Sequence, residues 1–341
     1  MESRPPKANK TRLRKFRDRS AEDASLKAPL QADLGPPPDF QSFWAKTRAE
    51  VEKVPLDMSR EPFRTANPAL LFERLTFGSL GGVSISGYAL RWRDDAERPL
   101  VVHSHGYGGD FDVMWHWAER GVNVLGVEVR GYGRSKDALP TRSPWGYVLT
   151  GIESPQEYVL RGAVCDYVRA AEVGKEFLGL HTSRTVLTGV SFAGGLAVMA
   201  EAILQAADLL AVAVPSLGWV EGRRLLASKG SWGEINRYLE VHPEREEALM
   251  DVLRYFDPMN FAPRVRCPTL VSVALADDVV PAPTVYAIAE HLGGPREVVT
   301  WPASHADLPE EDFFRERFEA YWLQLAVEGV PAGFGAASQS P

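Results

Sequence analysis

The sequence predicts an α/β fold, with a mostly parallel central sheet and helices on both of its faces. Three observations lead to this fold class. Apolar segments of strand length alternate with longer segments of helical periodicity, the strand segments are almost continuously apolar, and glycine- or proline-containing turns separate the elements. Continuous apolar runs are typical of strands that helices cover above and below. A chain of 341 residues is long enough for one such domain with insertions or for two domains.

The first predicted element is a helix over residues 39–54, where aromatic and β-branched side chains recur at helical spacing. Two strand-like segments then flank Gly81 and Gly82, a pair typical of hairpin turns. Because strands and helices alternate from there on, later strands are expected to pair in parallel. The predicted strands are 71–77, 83–92, 99–103, 123–129, 184–188, 210–214, 269–274 and 298–301, and the further helices are 111–120, 157–177, 244–255, 285–291 and 313–325.

The two ends of the chain differ from its body. Residues 1–28 are polar and rich in Lys and Arg, which predicts a disordered, solvated tail; a nucleic-acid contact is the less favoured alternative. One domain is expected over residues 29–328, beginning with a helical and hairpin extension. Residues 329–341 are expected to form a flexible end.

The overall composition limits the classes of partner. The chain is 45% hydrophobic and 24% charged, with a net charge of -7, which argues against nucleic acid or an anionic membrane as the main partner. Its two cysteines, Cys165 and Cys267, fall in apolar segments and predict core residues instead of a disulfide framework. No apolar stretch reaches transmembrane length and no secretory signal follows the basic N-terminus, so we expect a cytoplasmic protein.

The segment that carries most chemical information surrounds Ser191. A β-branched apolar run ends at Gly189-Val-Ser191, and an Ala-, Met- and Leu-rich helical pattern follows directly. This is the strand, sharp turn and helix of a nucleophile elbow, in which small neighbours allow strand and helix to pass closely. The fifth position of the usual G-x-S-x-G pattern is Ala193, whose methyl group such a turn can accept. The alternative interpretation is a βα turn in which Ser191 only caps the helix.

A serine hydroxyl is a weak nucleophile and needs a histidine base that a carboxylate orients. Asp277 comes off the end of one predicted strand, and His305 follows the last strand. The order Ser191, Asp277, His305 is the one found in α/β-hydrolases, so the sequence predicts that fold and this triad. Asp278 and Asp307 are competitors for the acid, and Asp277 is preferred because it leaves the strand first.

An ester-cleaving serine also needs N–H donors for the developing oxyanion. The backbone N–H of Phe192, directly after the nucleophile, is the first expected donor. The glycine-rich segment 103–110 follows an early strand and supplies the second, assigned to the Tyr107 N–H. His105 is expected to brace this loop rather than act as the base. A plain βα turn remains an alternative for the loop, whereas phosphate binding lacks the lysine and glycine spacing it needs. No cluster has metal-ligand spacing, so we expect no metal.

Arg130-Gly-Tyr132-Gly follows another predicted strand and must turn tightly at the same edge of the sheet. A structural role, in which Arg130 bonds nearby carbonyls, is favoured over direct contact with substrate.

With these segments identified, the chain resembles carbohydrate esterase family seven, the acetyl xylan esterases and cephalosporin-C deacetylases, over about residues 37–325. The resemblance implies that Ser191, Asp277 and His305 form the triad and that Tyr107 and Phe192 supply the oxyanion donors. The similar segments are Asp-Phe-x-x-Phe-Trp at 39–44, Val-Pro-Leu-Asp at 54–57, His-Gly-Tyr-Gly-Gly at 105–109, Arg-Gly-Tyr-Gly at 130–133, Gly-Val-Ser-Phe-Ala-Gly-Gly at 189–195, and the stretches 255–262 and 267–277.

Three positions depart from the family pattern. Phe192 replaces a glutamine after the nucleophile, Tyr132 replaces the glutamine of Arg-Gly-Gln, and Ala306 replaces a glutamate after the histidine. Backbone donation survives a change from Gln to Phe, so catalysis is expected to persist. Aromatic rings in place of polar side chains are expected to change the lining of the acetyl pocket and, with it, the preferred substrate.

The resemblance implies a cofactor-independent serine esterase that removes acetyl groups from small substrates such as acetylated xylo-oligosaccharides or cephalosporin C-like esters. It also implies a homohexamer with inward-facing active sites. Two alternatives stay open: a broader short-chain carboxylesterase or acyltransferase, and a non-catalytic module with a hydrolase fold.

Overall fold

The computed structural model describes residues 32–109, 111–177, 182–305 and 309–335. The predicted tail at 1–28, Ala306 and Asp307 lie outside the described residues, as do residues 336–341 of the predicted C-terminal end.

The described part of the chain contains one nine-stranded sheet with the order β1-β2-β3-β5-β4-β6-β7-β8-β9. β1, β2, β3 and β5 pair antiparallel with one another, and every pair from β5–β4 to β8–β9 is parallel. The strands are β1 Ser59–Phe63, β2 Leu70–Ser79, β3 Val83–Trp92, β4 Arg98–Ser104, β5 Asn123–Glu128, β6 Thr182–Val190, β7 Leu209–Ala213, β8 Thr269–Ala274 and β9 Arg296–Trp301.

Helices connect the parallel strands. The α-helices are α1 Phe40–Glu52, α2 Trp115–Ala118, α3 Val159–Glu172, α4 Phe192–Leu204, α5 Val220–Leu226, α6 Gly230–Val241, α7 Glu246–Arg254, α8 Pro258–Phe261, α9 Ala282–His291 and α10 Pro309–Glu328. A π-helical turn at Val173–Phe177 continues α3, and short 3-10 helices lie at Gly133–Ala138, Tyr147–Leu149, Pro243–Arg245 and Ala262–Arg264.

Helices cover both faces of the sheet, which confirms the predicted fold class. Successive side chains of a strand point to opposite faces. Accordingly, Leu100 and Val102 of β4 belong to one apolar core with α3, α4 and α9, while Val101 belongs to a second core with α10. All three side chains are 0% exposed, as the continuous apolar runs predict. No helix in the described ranges has the length and apolar character needed to cross a membrane.

The structure differs from the sequence expectation at several elements. The helix predicted at 111–120 shrinks to Trp115–Ala118, because the Tyr88 hydroxyl accepts a bond from the Met114 N–H at 2.9 Å and donates to the Asp112 carbonyl at 3.4 Å. These bonds satisfy backbone groups that a longer helix would use. β1 was not predicted, because it is a polar, exposed edge strand that depends on pairing with β2. α5 and α6 were also missed, in a segment that glycines interrupt.

Candidate active site

Ser191 lies at the turn between β6 and α4, at the carboxyl edge of the sheet. Its backbone has φ 55° and ψ -115°, a left-handed conformation that is strained for a residue with a side chain. Gly189 makes the turn possible: a Cβ there would lie 2.4 Å from the backbone carbon of Ala193. The sharp strand-turn-helix geometry of the predicted elbow is therefore confirmed, with Ala193 accommodated at the fifth position.

Neighbouring backbone holds the strained turn on both sides. The Ser191 N–H donates to the Ala213 carbonyl, and the Ser191 carbonyl accepts from the Ser216 N–H, both at 2.9 Å. Because Ala213 and Ser216 flank the end of β7, the nucleophile candidate is fixed to the neighbouring strand as well as to its own.

His305 and Asp277 are in direct contact. The Nδ1 atom of His305 lies 2.7 Å from the Oδ2 atom of Asp277, whose side chain is 0% exposed. The other carboxylate oxygen, Oδ1, accepts the N–H groups of Val279 at 2.9 Å and Val280 at 2.7 Å. With Oδ1 fixed by the backbone, Oδ2 can hold the imidazole in one orientation and one tautomer.

Of the two competing acids, only Asp278 is among the described residues, and its contacts lie away from this pair. Asp278 forms an ion pair with Lys229, and the side chains of both are about half exposed. Asp307 lies outside the described residues. The geometry therefore favours Asp277 as the residue that orients His305, and the catalytic role of the pair remains a prediction.

A cavity of about 530 Å³ brings the candidate residues together. Ser191, His305 and Tyr107 all line it, while Asp277 sits behind His305. Apolar and small side chains from the loops after β7, β8 and β9 form much of the remaining wall. In the described residues we find no group of three or more His, Cys, Asp or Glu side chains that could hold a metal ion.

The predicted oxyanion loop is anchored through the side chain of Tyr107. The Tyr107 hydroxyl donates to the Oε2 atom of Glu234 at 2.5 Å and accepts the Val148 N–H at 3.3 Å. Phe192 begins α4, and the N–H groups of a first helical turn have no partner within the helix. Backbone N–H groups from an anchored loop and a helix start are suited to hold a developing oxyanion.

The two aromatic departures from the family pattern pack in one cluster. The ring centroids of Phe192 and Tyr132 lie 6.5 Å apart, and Tyr107 and Tyr147 lie 5.7 Å and 6.0 Å from Phe192. Phe192 is 1% exposed, and neither Phe192 nor Tyr132 belongs to the cavity wall. The two aromatic replacements thus pack in the core behind the predicted oxyanion loop and add no aromatic surface to the cavity wall.

His105 braces this loop, as the sequence suggested. Its Nδ1 atom lies 2.8 Å from the Gly106 carbonyl oxygen, and the residue is 3% exposed. Burial lowers the pKa of His105, which favours the neutral imidazole. The neighbouring His103 also has a pKa lowered by burial, to about 3, and contacts the Tyr88 hydroxyl at 2.6 Å. Both histidines are therefore structural in this arrangement.

Arg130 has the structural role that was favoured for it. Its Nε and Nη2 atoms donate to Asp166 at 3.0 and 2.8 Å, and Nη2 also donates to the Leu80 carbonyl at 3.0 Å. These bonds tie the turn after β5 to α3 and to the β2–β3 hairpin. None of them involves the cavity.

Two further residues, which the sequence did not single out, concern the cavity: Arg223 lines it, and Asp257 fixes the start of the helix that carries Arg223. Asp257 is 1% exposed and accepts the N–H groups of Trp219 and Val220, each at 2.9 Å, and of Met259 at 2.8 Å. Arg223, on α5, lines the cavity itself. The Asp-Pro pair at 257–258 is a helix-start signal that could have indicated a capping role for Asp257. Nothing in the periodicity distinguishes Arg223 from a surface arginine.

Comparison with known proteins gives consistent matches. The sequence profile of the acetyl xylan esterase (AXE1) family matches residues 30–324. Acetyl esterase Axe7A from Xylanibacter ruminicola is 22% identical over 309 residues, which cover 86% of this chain and 68% of that protein. The acetyl xylan esterase from Paenibacillus sp. R4 is 26% identical with a TM-score of 0.76, covering 86% of this chain and 99% of that one. The fold is also similar to that of acetyl xylan esterase 1 from Thermoanaerobacterium sp. JW/SL YS485, with a TM-score of 0.77 and 22% identity. This match covers 87% of this chain and 98% of that one.

Proposed function

Because the chain belongs to the acetyl xylan esterase family and is a carboxylic ester hydrolase, we propose that it hydrolyses acetyl esters of small substrates through Ser191, His305 and Asp277. The substrate class includes acetylated xylo-oligosaccharides and cephalosporin C-like esters. One observation supports the assignment most strongly: His305, oriented by a fully buried carboxylate, lines the same cavity as the strained Ser191.

In the acylation step, the Nε2 atom of His305 takes the proton of the Ser191 hydroxyl as the oxygen attacks the ester carbonyl. Asp277 stabilises the imidazolium that forms. The N–H groups of Tyr107 and Phe192 bind the oxyanion. When the tetrahedral intermediate collapses, His305 gives its proton to the leaving alcohol and an acetyl-Ser191 ester remains.

Deacylation repeats the same steps with water. His305 removes a proton from a water molecule that attacks the acetyl carbonyl, and the same two N–H groups bind the second oxyanion. Collapse returns the proton to Ser191 and releases acetate. No cofactor takes part in either step of this proposal.

The decisive experiment compares 4-nitrophenyl acetate hydrolysis and fluorophosphonate labelling in the wild type and in Ser191→Ala. Loss of a triad nucleophile costs about 10⁴-fold or more in kcat, so we expect activity to fall by that order and labelling to disappear. Ser216→Ala is the matched control, because it removes another hydroxyl from the same cavity wall and should keep the label. Equal rates for wild type and Ser191→Ala would rule out this mechanism, and an unlabelled wild type would favour a non-catalytic module.

The acyl group is proposed to be acetyl before any longer chain. A series of 4-nitrophenyl esters from acetate to octanoate measures this preference, with a steep fall in kcat/KM expected beyond propionate. A flat profile would support a broader carboxylesterase. Transfer of the acetyl group to an added alcohol in competition with water would support an acyltransferase.

The hexamer implied by the family resemblance is also part of the proposal. Leu225 and Leu226 on α5 are 82% and 41% exposed, which supports association through this region. Light scattering after size-exclusion chromatography gives the mass, and a monomeric mass at micromolar concentration would contradict the assembly.

A further inference from the structure

Arg223 forms part of the wall of the active-site cavity, although it is only 1% exposed. Its Nη2 atom donates to the Ser231 hydroxyl at 3.2 Å. Its Nε and Nη1 atoms are buried and have no hydrogen-bond partner among the described residues. A guanidinium carries five N–H donors, so most of the hydrogen-bonding capacity of Arg223 is unused within the described structure.

The two carboxylates that attract Arg223 already accept hydrogen bonds from other groups. Asp257 accepts three backbone N–H groups, and Asp277 accepts two besides contacting His305. Burial lowers the pKa of Arg223 to about 9, and the attraction of Asp257, Tyr158 and Asp277 opposes this only in part. The side chain is still cationic at neutral pH. The Trp232 ring, 5.6 Å from the guanidinium carbon, supplies a weak additional contact.

A buried guanidinium whose nearby carboxylates are bonded to other groups is costly, so its position at a cavity wall favours a ligand that offers acceptors to its unused donors. No Asp or Glu side chain is among the described residues that line this cavity. An anionic group of the substrate would therefore meet no carboxylate in this part of the wall and could accept hydrogen bonds from Arg223.

We propose that Arg223 binds a carboxylate on the alcohol part of the substrate, so that the preferred substrates are acetyl esters of carboxylate-bearing alcohols. A carboxylate fits because it carries the single negative charge that matches one guanidinium and accepts two hydrogen bonds from it. This inference rests on the proposed esterase function and narrows its substrate class. It makes Arg223 a specificity-determining residue that takes no part in bond making or breaking.

The experiment measures kcat/KM for a series of ω-acetoxy alkanoates with two to six carbons and for the corresponding uncharged amides. The series varies the distance between the ester and the carboxylate. At one chain length the wild type should prefer the carboxylate over the amide. In Arg223→Met that carboxylate-to-amide ratio should fall by roughly tenfold or more, equivalent to about 1.4 kcal/mol of lost interaction.

Arg224→Met is the matched control. Arg224 is the adjacent arginine, lies outside the cavity wall and pairs with Glu246 at the surface, with Nε 2.8 Å from Oε1. This variant removes the same charge from the same helix and should keep the wild-type ratio. Arg223→Lys, which retains a charge with fewer donors, should give an intermediate ratio and serves if Arg223→Met does not fold.

Two kinds of failure can be told apart. If the wild type cleaves neutral esters but shows no preference for the carboxylate at any chain length, or if Arg223→Met keeps the ratio, the inference about Arg223 is wrong and the esterase proposal stands. If the wild type cleaves none of the esters and Ser191 takes no fluorophosphonate label, the proposed function fails and this inference fails with it.

Discussion

The turn after β5 and the cavity wall on α5 each contain a buried arginine, but only one of the two is hydrogen-bonded to a carboxylate. Arg130, whose side chain is 12% exposed, faces the fully buried carboxylate of Asp166 through two side-chain bonds. Arg223 is 1% exposed and has one side-chain partner among the described residues, the neutral hydroxyl of Ser231. The protein thus supplies a carboxylate to Arg130, which we call the complete site, and only a neutral hydroxyl to Arg223, which we call the incomplete site.

The pKa values of the two side chains shift in opposite directions, in keeping with this difference. Burial would lower the pKa of Arg130, but the Asp166 carboxylate outweighs it and the pKa lies above its ordinary value. At Arg223 burial prevails and the pKa falls to about 9. A buried charge costs least when an opposite charge is bonded to it, and a buried charge without such a bond points to a ligand.

The largest expected effect comes from breaking the complete site. Asp166→Asn keeps the size of the side chain but removes the charge opposite Arg130, and Asp166 also accepts the Ser79 hydroxyl at 2.6 Å and the Arg130 N–H at 2.9 Å. Removing one partner of a buried ion pair costs about 3–5 kcal/mol, so the free energy of unfolding in urea should fall by that amount. Arg130→Met combined with Asp166→Asn should recover part of it. A loss below about 1 kcal/mol would show that the pair is as dispensable as a surface bridge.

The turns at Ser191 and Arg130 were easier to predict from the sequence than the surroundings of Arg223. The elbow at Ser191 and the turn at Arg130 are local patterns, because glycines and a strand end determine them within a few residues. The contact between Asp277 and His305 was also predictable, since parallel strands place their carboxyl ends at one edge of the sheet and the expected order of the triad limits the choice.

The environment of Arg223 has no such local signature. It depends on where α5 and α6 pack, and that depends on the segment after β7, in which Val214, Leu217 and Trp219 have positive φ values of 40°, 76° and 54°. A β-branched residue in this region is an outlier that sequence propensity does not anticipate. Only the folded arrangement, held by Asp257, brings the guanidinium to the cavity.

The second expected effect is a pH dependence of stability, caused by a buried carboxyl group. Glu201 on α4 is 1% exposed, and its Oε2 atom accepts the N–H groups of Ala206 and Ala207 at 3.3 and 3.0 Å. Burial raises the pKa of Glu201 to about 7, with these two bonds opposing the shift. A raised carboxyl pKa gives stability that is present below the unfolded-state value, near 4.5, and is lost as the pH rises through 7.

Glu201→Gln removes this titration while keeping an acceptor for both N–H groups. Relative to the wild type, its free energy of unfolding should therefore rise by about 2 kcal/mol more at pH 8 than at pH 5. Urea denaturation at the two pH values measures the difference. If the difference in free energy of unfolding between the two proteins were the same at both pH values, Glu201 would have a cationic partner. It would then resemble Arg130 and not Arg223.

At the incomplete site we expect no loss of stability. Arg223→Met replaces an unpaired charge with a flexible apolar side chain of comparable length, which can pack against Trp232 while the Ser231 hydroxyl loses one donor. The cost of burying the charge disappears with it, so without ligand the free energy of unfolding should stay the same or rise by up to about 2 kcal/mol.

Arg224→Met again provides the control, because an exposed ion pair such as Arg224–Glu246 contributes at most about 1 kcal/mol. The three arginines then differ in burial and in pairing with a carboxylate. Arg130 is buried and paired, Arg223 is buried and unpaired with a carboxylate, and Arg224 is paired at the surface. If Arg223→Met lost as much stability as Asp166→Asn, the guanidinium would have to be satisfied by the protein itself. The contrast between the two sites would then disappear, and with it the reason to expect a carboxylate in the cavity.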